Sequence, residues 1–280
     1  MCGIAGIFDL TEQREPDRGL LAAMNQTQFH RGPDEGGLYT APGVGLAHRR
    51  LSIIDLASGQ QPMFSADGKL CVVYNGEIYN FRELASELQG LGYQFRTHCD
   101  TEVILYAWQA WGERCVDRFR GMFAFALYDQ NARSLFLARD RFGIKPFFYS
   151  VLADGQLIFG SELKVLKAHP GLPRKLDPRA VEDYFALGYV PEPKTIYQGV
   201  HKLCPGHTLL LRAGMPVPEQ KQFWDIPFQP VAVASESDLQ AELLARLREA
   251  VQVRLVAEVP LGAFLSGGVD SSAVVAMMAQ

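Results

Sequence analysis

Four short runs rich in Val, Phe, Leu and Tyr, at Leu70–Asn75, Gly121–Asp129, Arg133–Arg139 and Gln156–Ser161, constrain this chain more than any other feature. Turn residues such as Gln130-Asn131 and Asp154-Gly155 border them, where alternating βα units would place helices. That pattern predicts hairpins and antiparallel sheet. Helical signals are interspersed. Asn80 and Glu83 have capping-box spacing, Leu84, Leu88 and Leu91 recur at helical period before Gly92, and a helix is expected over 81–91. Further helices are expected near 17–28 and 101–116. Antiparallel strands carrying helices make this zone α+β.

The pattern changes after residue 205. Pro216, Pro218, Pro227 and Pro230 fall in a stretch without sustained period, so 206–230 reads as a linker. Beyond it, Ser237 and Gln240 form a second capping-box pair, and Leu239, Leu243, Leu244, Leu247, Val251 and Leu255 share one helical face. An apolar run from Val259 to Leu265, expected as a strand, leads into Ser-Gly-Gly-Val-Asp-Ser-Ser and another helix. Helix, strand, glycine turn and helix form the opening of a parallel α/β sheet. The domain expectation is therefore 1–205, a linker at 206–230, and the first elements of a second domain at 231–280. A parallel sheet needs several strands covered on both faces. The chain reads as a fragment of a longer protein whose last segment exposes apolar surface.

Composition narrows the partners. The 27 Lys and Arg against 31 Asp and Glu leave a net charge of −4, which provides no basic field for nucleic acid. No stretch reaches the roughly 20 apolar residues of a membrane span, and the amino terminus lacks a signal-peptide pattern, so a cytoplasmic location is expected. The 5 cysteines are scattered without a C-x-x-C pair or a histidine at metal spacing, which argues against disulfides and structural zinc.

Cys2 is the first candidate for chemistry. Removal of Met1 would place a thiol and a free α-amine on one residue, and an amine of pKa about 8 can accept the thiol proton near neutrality. An ordinary residue on a first strand is the alternative. Asn75-Gly76 by itself favours a type I′ hairpin turn. Asp100 precedes a helical segment and has an N-cap reading beside any binding role. Ser266-Gly267-Gly268-Val269-Asp270-Ser271-Ser272 places glycines before a helix N-terminus, where phosphate oxygens can sit. It lacks the spacing and lysine of a Walker A loop. A Ser/Gly-rich helix cap is the competing explanation. His30 and His48 receive no catalytic role.

These residues stand among polar clusters in a fixed order: Phe29–Asp34, Ala47–Asp55, Tyr74–Asn80, Asp100–Glu102 and Arg139–Pro146. In that order the chain resembles the glutamine-hydrolysing asparagine synthetase B family. Residues 1 to about 200 are similar to its class II glutamine amidotransferase domain, an N-terminal nucleophile hydrolase of four αββα layers. The SGGVDSS segment resembles the pyrophosphate loop of N-type ATP pyrophosphatases. The resemblance implies that Cys2 attacks the carboxamide of glutamine, with Asn75 and Gly76 as oxyanion hole. It implies that Arg50 holds the substrate α-carboxylate, that Glu77 and Asp100 face its α-ammonium, and that Ile54 adds a carbonyl contact. Leu265, Ser266, Gly267, Gly268, Asp270 and Ser271 would bind ATP, with Mg²⁺ near Asp270. The complete enzyme would use ATP and ammonia to amidate aspartate or another carboxylate acceptor, such as a polysaccharide-linked one, and a homodimer is compatible with this reading. The present chain is expected to act as a glutaminase only. A module that kept the fold without activity is the remaining alternative.

Overall fold

In a computed structural model, residues 1–11, 13–228 and 235–279 are described. Chain order gives β1 (Gly3–Asp9), α1 (Arg18–Gln26), β2 (Glu35–Ala41), β3 (Val44–Arg50), β4 (Met63–Phe64) and β5 (Leu70–Ile78). Next come α2 (Phe81–Gly90), α3 (Asp100–Trp111), α4 (Cys115–Arg118), β6 (Gly121–Asp129), β7 (Ser134–Arg139), β8 (Phe148–Val151) and β9 (Gln156–Gly160). Then α5 (Leu163–Lys167), α6 (Pro178–Leu187), β10 (Val200–Lys202), β11 (His207–Arg212), β12 (Lys221–Gln222), α7 (Glu236–Gln252) and α8 (Val269–Met278) follow.

The strands form two antiparallel six-stranded sheets, ordered β10-β8-β9-β1-β3-β2 and β12-β11-β7-β6-β5-β4. Alternation along the strands builds the layers, because successive side chains point to opposite faces. Ile4 and Phe8 of β1 meet Val73, Ala124 and Leu137 of the second sheet, while Ala5 and Ile7 face Leu21 and Met24 of α1 and Val165 of α5. On the far side of the second sheet, Val72, Phe123 and Phe125 pack against Leu84 and Leu88 of α2 and Val103 and Ile104 of α3. The result is the expected α+β arrangement of four layers, αββα. Gly6 is required at the centre of β1, since a Cβ there would overlap the Phe159 ring. Across the two sheets, His48 on β3 bonds the Tyr74 carbonyl on β5 at 2.9 Å, directly beside Asn75.

Several local expectations are corrected. Asn75-Gly76 is no turn: both residues lie within β5, opposite Ala124 and Phe123 of β6. Asn80 stands at the α2 N-cap, yet its side chain accepts from Arg120 N and donates to Arg118 O, because the following loop offers closer partners than the helix amides. The second cap is Ser235, which accepts from Asp238 N, and not Ser237. Asp100 is the first residue of α3 and not its cap, since its carboxylate is drawn inward to Tyr74 and Ile78. Within 206–230, expected as a linker, β11 and β12 extend the second sheet, and Leu209 and Leu211 are buried. Apolar alternation at 207–212 outweighs the prolines that follow, and Gln229 and Pro230 lie outside the described residues.

The strand expected at Val259–Leu265 does not form. An edge without neighbours leaves its backbone groups to water, and Phe264 stands fully exposed. Leu243 and Val269 are likewise exposed, as expected for this segment. Among the described residues no helix is long and apolar enough to cross a membrane.

Candidate active site

Five segments converge on a cleft of about 330 Å³. Cys2, immediately before β1, supplies the sulfur; Arg50 ends β3; Asn75, Gly76 and Glu77 come from β5; Asp100 begins α3; and Lys145 arrives on the loop after β7. The N-terminal strand is fixed from both sides. Arg31 Nε donates to the Cys2 carbonyl at 2.9 Å while its guanidinium pairs with Glu162, and Ile4 N donates to Ser161 Oγ. Leu51 N approaches Cys2 Sγ at 3.4 Å. A wider depression of about 820 Å³ lies alongside, between α2, residues 95–99 and residues 255–258, but Cys2 does not line it.

Arg50 is almost wholly buried and held by four acceptors: Glu35 Oε2 at 3.1 Å, Leu56 O at 3.4 Å, Ile54 O at 3.2 Å and Asp55 O at 2.6 Å. The Ile54 carbonyl, expected to face a substrate, is thus turned to the guanidinium. Asp100 Oδ2 accepts from Tyr74 Oη at 2.7 Å and Ile78 N at 2.9 Å. Asn75 has the opposite condition: its side chain is buried, and Nδ2 has no hydrogen-bond partner among the described residues. A buried amide donor without a partner costs free energy unless a ligand satisfies it.

Burial shifts the charge states of the groups here. Burial raises the Cys2 thiol, Asp100 and Glu77 above their ordinary values, and it lowers Lys145 and the Met1 amine. For the amine, the Arg31 and Lys145 cations add to the lowering.

Cys2, Arg50, Ile54, Asn75, Gly76, Glu77 and Asp100 all line this cleft, whereas Leu265–Ser271 do not. Lys145, Gln61, Tyr74 and Thr101 also line the wall and received no role from sequence. Gln61 accepts from Tyr74 N at 2.6 Å and so braces β5. Lys145 belongs to the polar cluster Arg139–Pro146. Its loop is shaped by buried Asp140, which accepts from Ile144 N and Lys145 N, and by Arg139, which binds the Lys145 carbonyl. In the separate glycine loop, Gly267 has φ 80° and α8 begins at Val269 without a side-chain cap bond.

Residues 1–224 match the model of the glutamine amidotransferase domain, and residues 242–280 that of asparagine synthase. Two Bacillus subtilis proteins named asparagine synthetase [glutamine-hydrolyzing] 3 and 1 are 37% and 38% identical over 100% and 99% of the chain. The chain spans 45% and 44% of their lengths. Among solved structures, the B. subtilis glutamine phosphoribosylpyrophosphate amidotransferase shares the fold at 17% identity and TM-score 0.54, over 79% of this chain and 49% of that one.

Proposed function

The chain belongs to the glutamine amidotransferase domain family, in the arrangement shared with glutamine-hydrolysing asparagine synthetases, and from that premise we propose that its cleft hydrolyses glutamine at Cys2. The observation that carries the reading is the buried Asn75 amide, without a partner among the described residues, sharing one cleft with the Cys2 thiol and the Arg50 guanidinium.

Once Met1 is removed, the Cys2 amine takes the thiol proton as Sγ forms a bond to the carboxamide carbon of glutamine. Asn75 Nδ2 and the Gly76 amide stabilise the tetrahedral oxyanion, at about 3 kcal/mol per donor. The ammonium so formed passes its proton to the departing nitrogen, the C–N bond breaks, and ammonia leaves a thioester. Water, activated by the same amine, then releases glutamate. Arg50, its Nη1 and Nη2 held by Glu35, Leu56, Ile54 and Asp55, offers the positive charge that attracts the α-carboxylate, and the carboxylates of Glu77 and Asp100 face the α-ammonium.

Glutamine-hydrolysing asparagine synthetases suggest the fate of the ammonia: amidation of aspartate, or another carboxylate, with ATP. Residues Leu265–Ser271 fit the phosphates of that nucleotide, since the Gly267 turn precedes helix amides that have no side-chain cap. Bound ATP with Mg²⁺ would supply an adenylating phosphorus. Ser266, Gly268 and Ser271 would hold its phosphates, and Asp270 would stand near the metal. The 1–205 glutaminase unit is extended by β11 and β12 in this reading, and the synthetase portion begins near residue 235.

Intact mass, ammonia release from glutamine, and labelling by a glutamine-analogue electrophile test the proposal. Met1-free protein should release ammonia and gain one label at Cys2. Met1-free protein that stays unlabelled refutes it. Glutamine-dependent AMP should be absent, because no strand supports the glycine loop, and AMP formation by this chain would refute that part.

A further inference from the structure

Two consecutive peptide groups connect a charge inside the cleft to one outside it. In the unit joining Ile54 to Asp55, the Ile54 carbonyl accepts from Arg50 at 3.2 Å, while the Asp55 N–H donates to Glu258 Oε1 at 3.1 Å. In the next unit, the Asp55 carbonyl accepts from Arg50 at 2.6 Å, and the Leu56 N–H donates to Glu258 Oε2 at 3.3 Å. Asp55 has φ 50°, the left-handed conformation that turns successive amides to one side and their carbonyls to the other. The Glu258 amide closes the contact by donating to Ile53 O at 2.9 Å. Both peptide dipoles are therefore aligned between a carboxylate and a guanidinium, an arrangement in which each hydrogen bond strengthens the other.

We infer that Glu258 is a positioning residue for glutamine binding: by clamping the 53–56 loop from outside the cleft, it sets the carbonyls that aim Arg50. The inference rests on the glutaminase reading for its consequence, because Arg50 is the group given the substrate α-carboxylate. It also ties the segment after α7 to the binding half of the reaction, leaving Cys2 and Asn75 untouched. Glu258 reaches the loop across the edge of the first unit, whereas Glu249 of the same segment pairs with Arg120 at 2.5 Å, away from that loop. Glu249→Ala is therefore a control for simple loosening of the segment.

Steady-state glutamine hydrolysis and amide hydrogen exchange on the full chain test the clamp. Glu258→Ala should raise the glutamine KM about tenfold with kcat within about twofold, and Glu258→Asp should recover most of the loss. Exchange at the Asp55 and Leu56 amides should accelerate at least about tenfold in Glu258→Ala. Alkylation of Cys2 by iodoacetamide, which has no α-carboxylate to recognise, should keep its wild-type rate. An unchanged KM in Glu258→Ala, or an equal rise in Glu249→Ala, overturns the inference. So does unchanged exchange at Asp55 and Leu56. If the Met1-free wild type releases no ammonia and takes no glutamine-analogue label, the glutaminase reading fails, and the exchange experiment still decides the clamp.

Discussion

Gly59 offers a sharp test of whether Arg50 is aimed for recognition. A Cβ at this position would fall well under 3 Å from Arg50 Nη2 and 2.9 Å from the Asp55 carbonyl, while Gly59 itself has no left-handed φ to preserve. Gly59→Ala should therefore fold and push the guanidinium off the carbonyls of Ile54 and Asp55. Misplacing the charge that attracts the substrate carboxylate should cost about 3 kcal/mol, the worth of two hydrogen bonds to a charged group at the low end of 1.5–3 kcal/mol each. At about 1.4 kcal/mol per tenfold, kcat/KM for glutamine should fall by about 150-fold, mainly through KM. Alanine restricts the unfolded chain by about 0.4–1 kcal/mol, which only partly offsets the crowding and the loss of two acceptors by a buried guanidinium, so the melting temperature should fall while the protein still folds. Ammonia release over a range of glutamine concentrations, run beside thermal unfolding, decides the matter. A folded variant whose KM lies within threefold of wild type would refute the assignment of Arg50 to the substrate carboxylate.

Three other outcomes are expected. Asn75→Ala should reduce kcat by about 10²–10³-fold with little change in KM or melting temperature, since its buried Nδ2 has no other partner, and a loss below tenfold would remove it from the oxyanion site. The pH profile of kcat/KM should rise through the ordinary range of an α-amine, about 8, because the reactive form needs the free Cys2 amine, and fall only above the ordinary thiol range, since burial raises the Cys2 thiol; a profile with no rising limb in that range contradicts an amine base. Buried His48 is pushed down to about 3 while an unfolded histidine titrates near 6.5, so stability is full above 6.5 and lost as pH falls toward 3. Between pH 6.5 and 5 that loss is about 2 kcal/mol, and urea unfolding of His48→Gln should show a correspondingly smaller decline.

Much of the fold was legible because its local signals agree with its tertiary ones. The runs at Gly121–Asp129 and Arg133–Arg139 became the β6–β7 hairpin, and Leu84 and Leu88 became the buried face of α2. Where a local rule conflicted with packing, packing prevailed. Asn80 and Asp100 have the residue types of caps, but each found partners in the neighbouring strand or loop that the linear spacing does not reveal. Val259–Leu265 has the composition of a buried strand, and composition cannot create the neighbouring strands that would satisfy its backbone. The short α6, capped by Asp177 with Pro178 and Gly188 at its ends, carried readable signals that the apolar pattern alone did not bring forward.

The site was legible only to the extent that side-chain chemistry defines it. A nucleophile, a guanidinium, carboxylates and an amide can be nominated from residue type and family order, and Cys2, Arg50, Asn75, Glu77 and Asp100 do share one cleft. Gly59 and the 53–56 loop act through backbone geometry, and Gln61 through an oxygen that accepts from the Tyr74 amide. The loop depends on a left-handed Asp55 and on a glutamate more than 200 positions away in the chain, and no motif specifies either. The same division applies to Ile54: its position beside Arg50 was readable, but the direction of its carbonyl, which accepts from Arg50, is set by what holds the other end of its peptide unit. Recognition here depends on the orientation of two amide planes, a property that emerges only when both of their ends are bound.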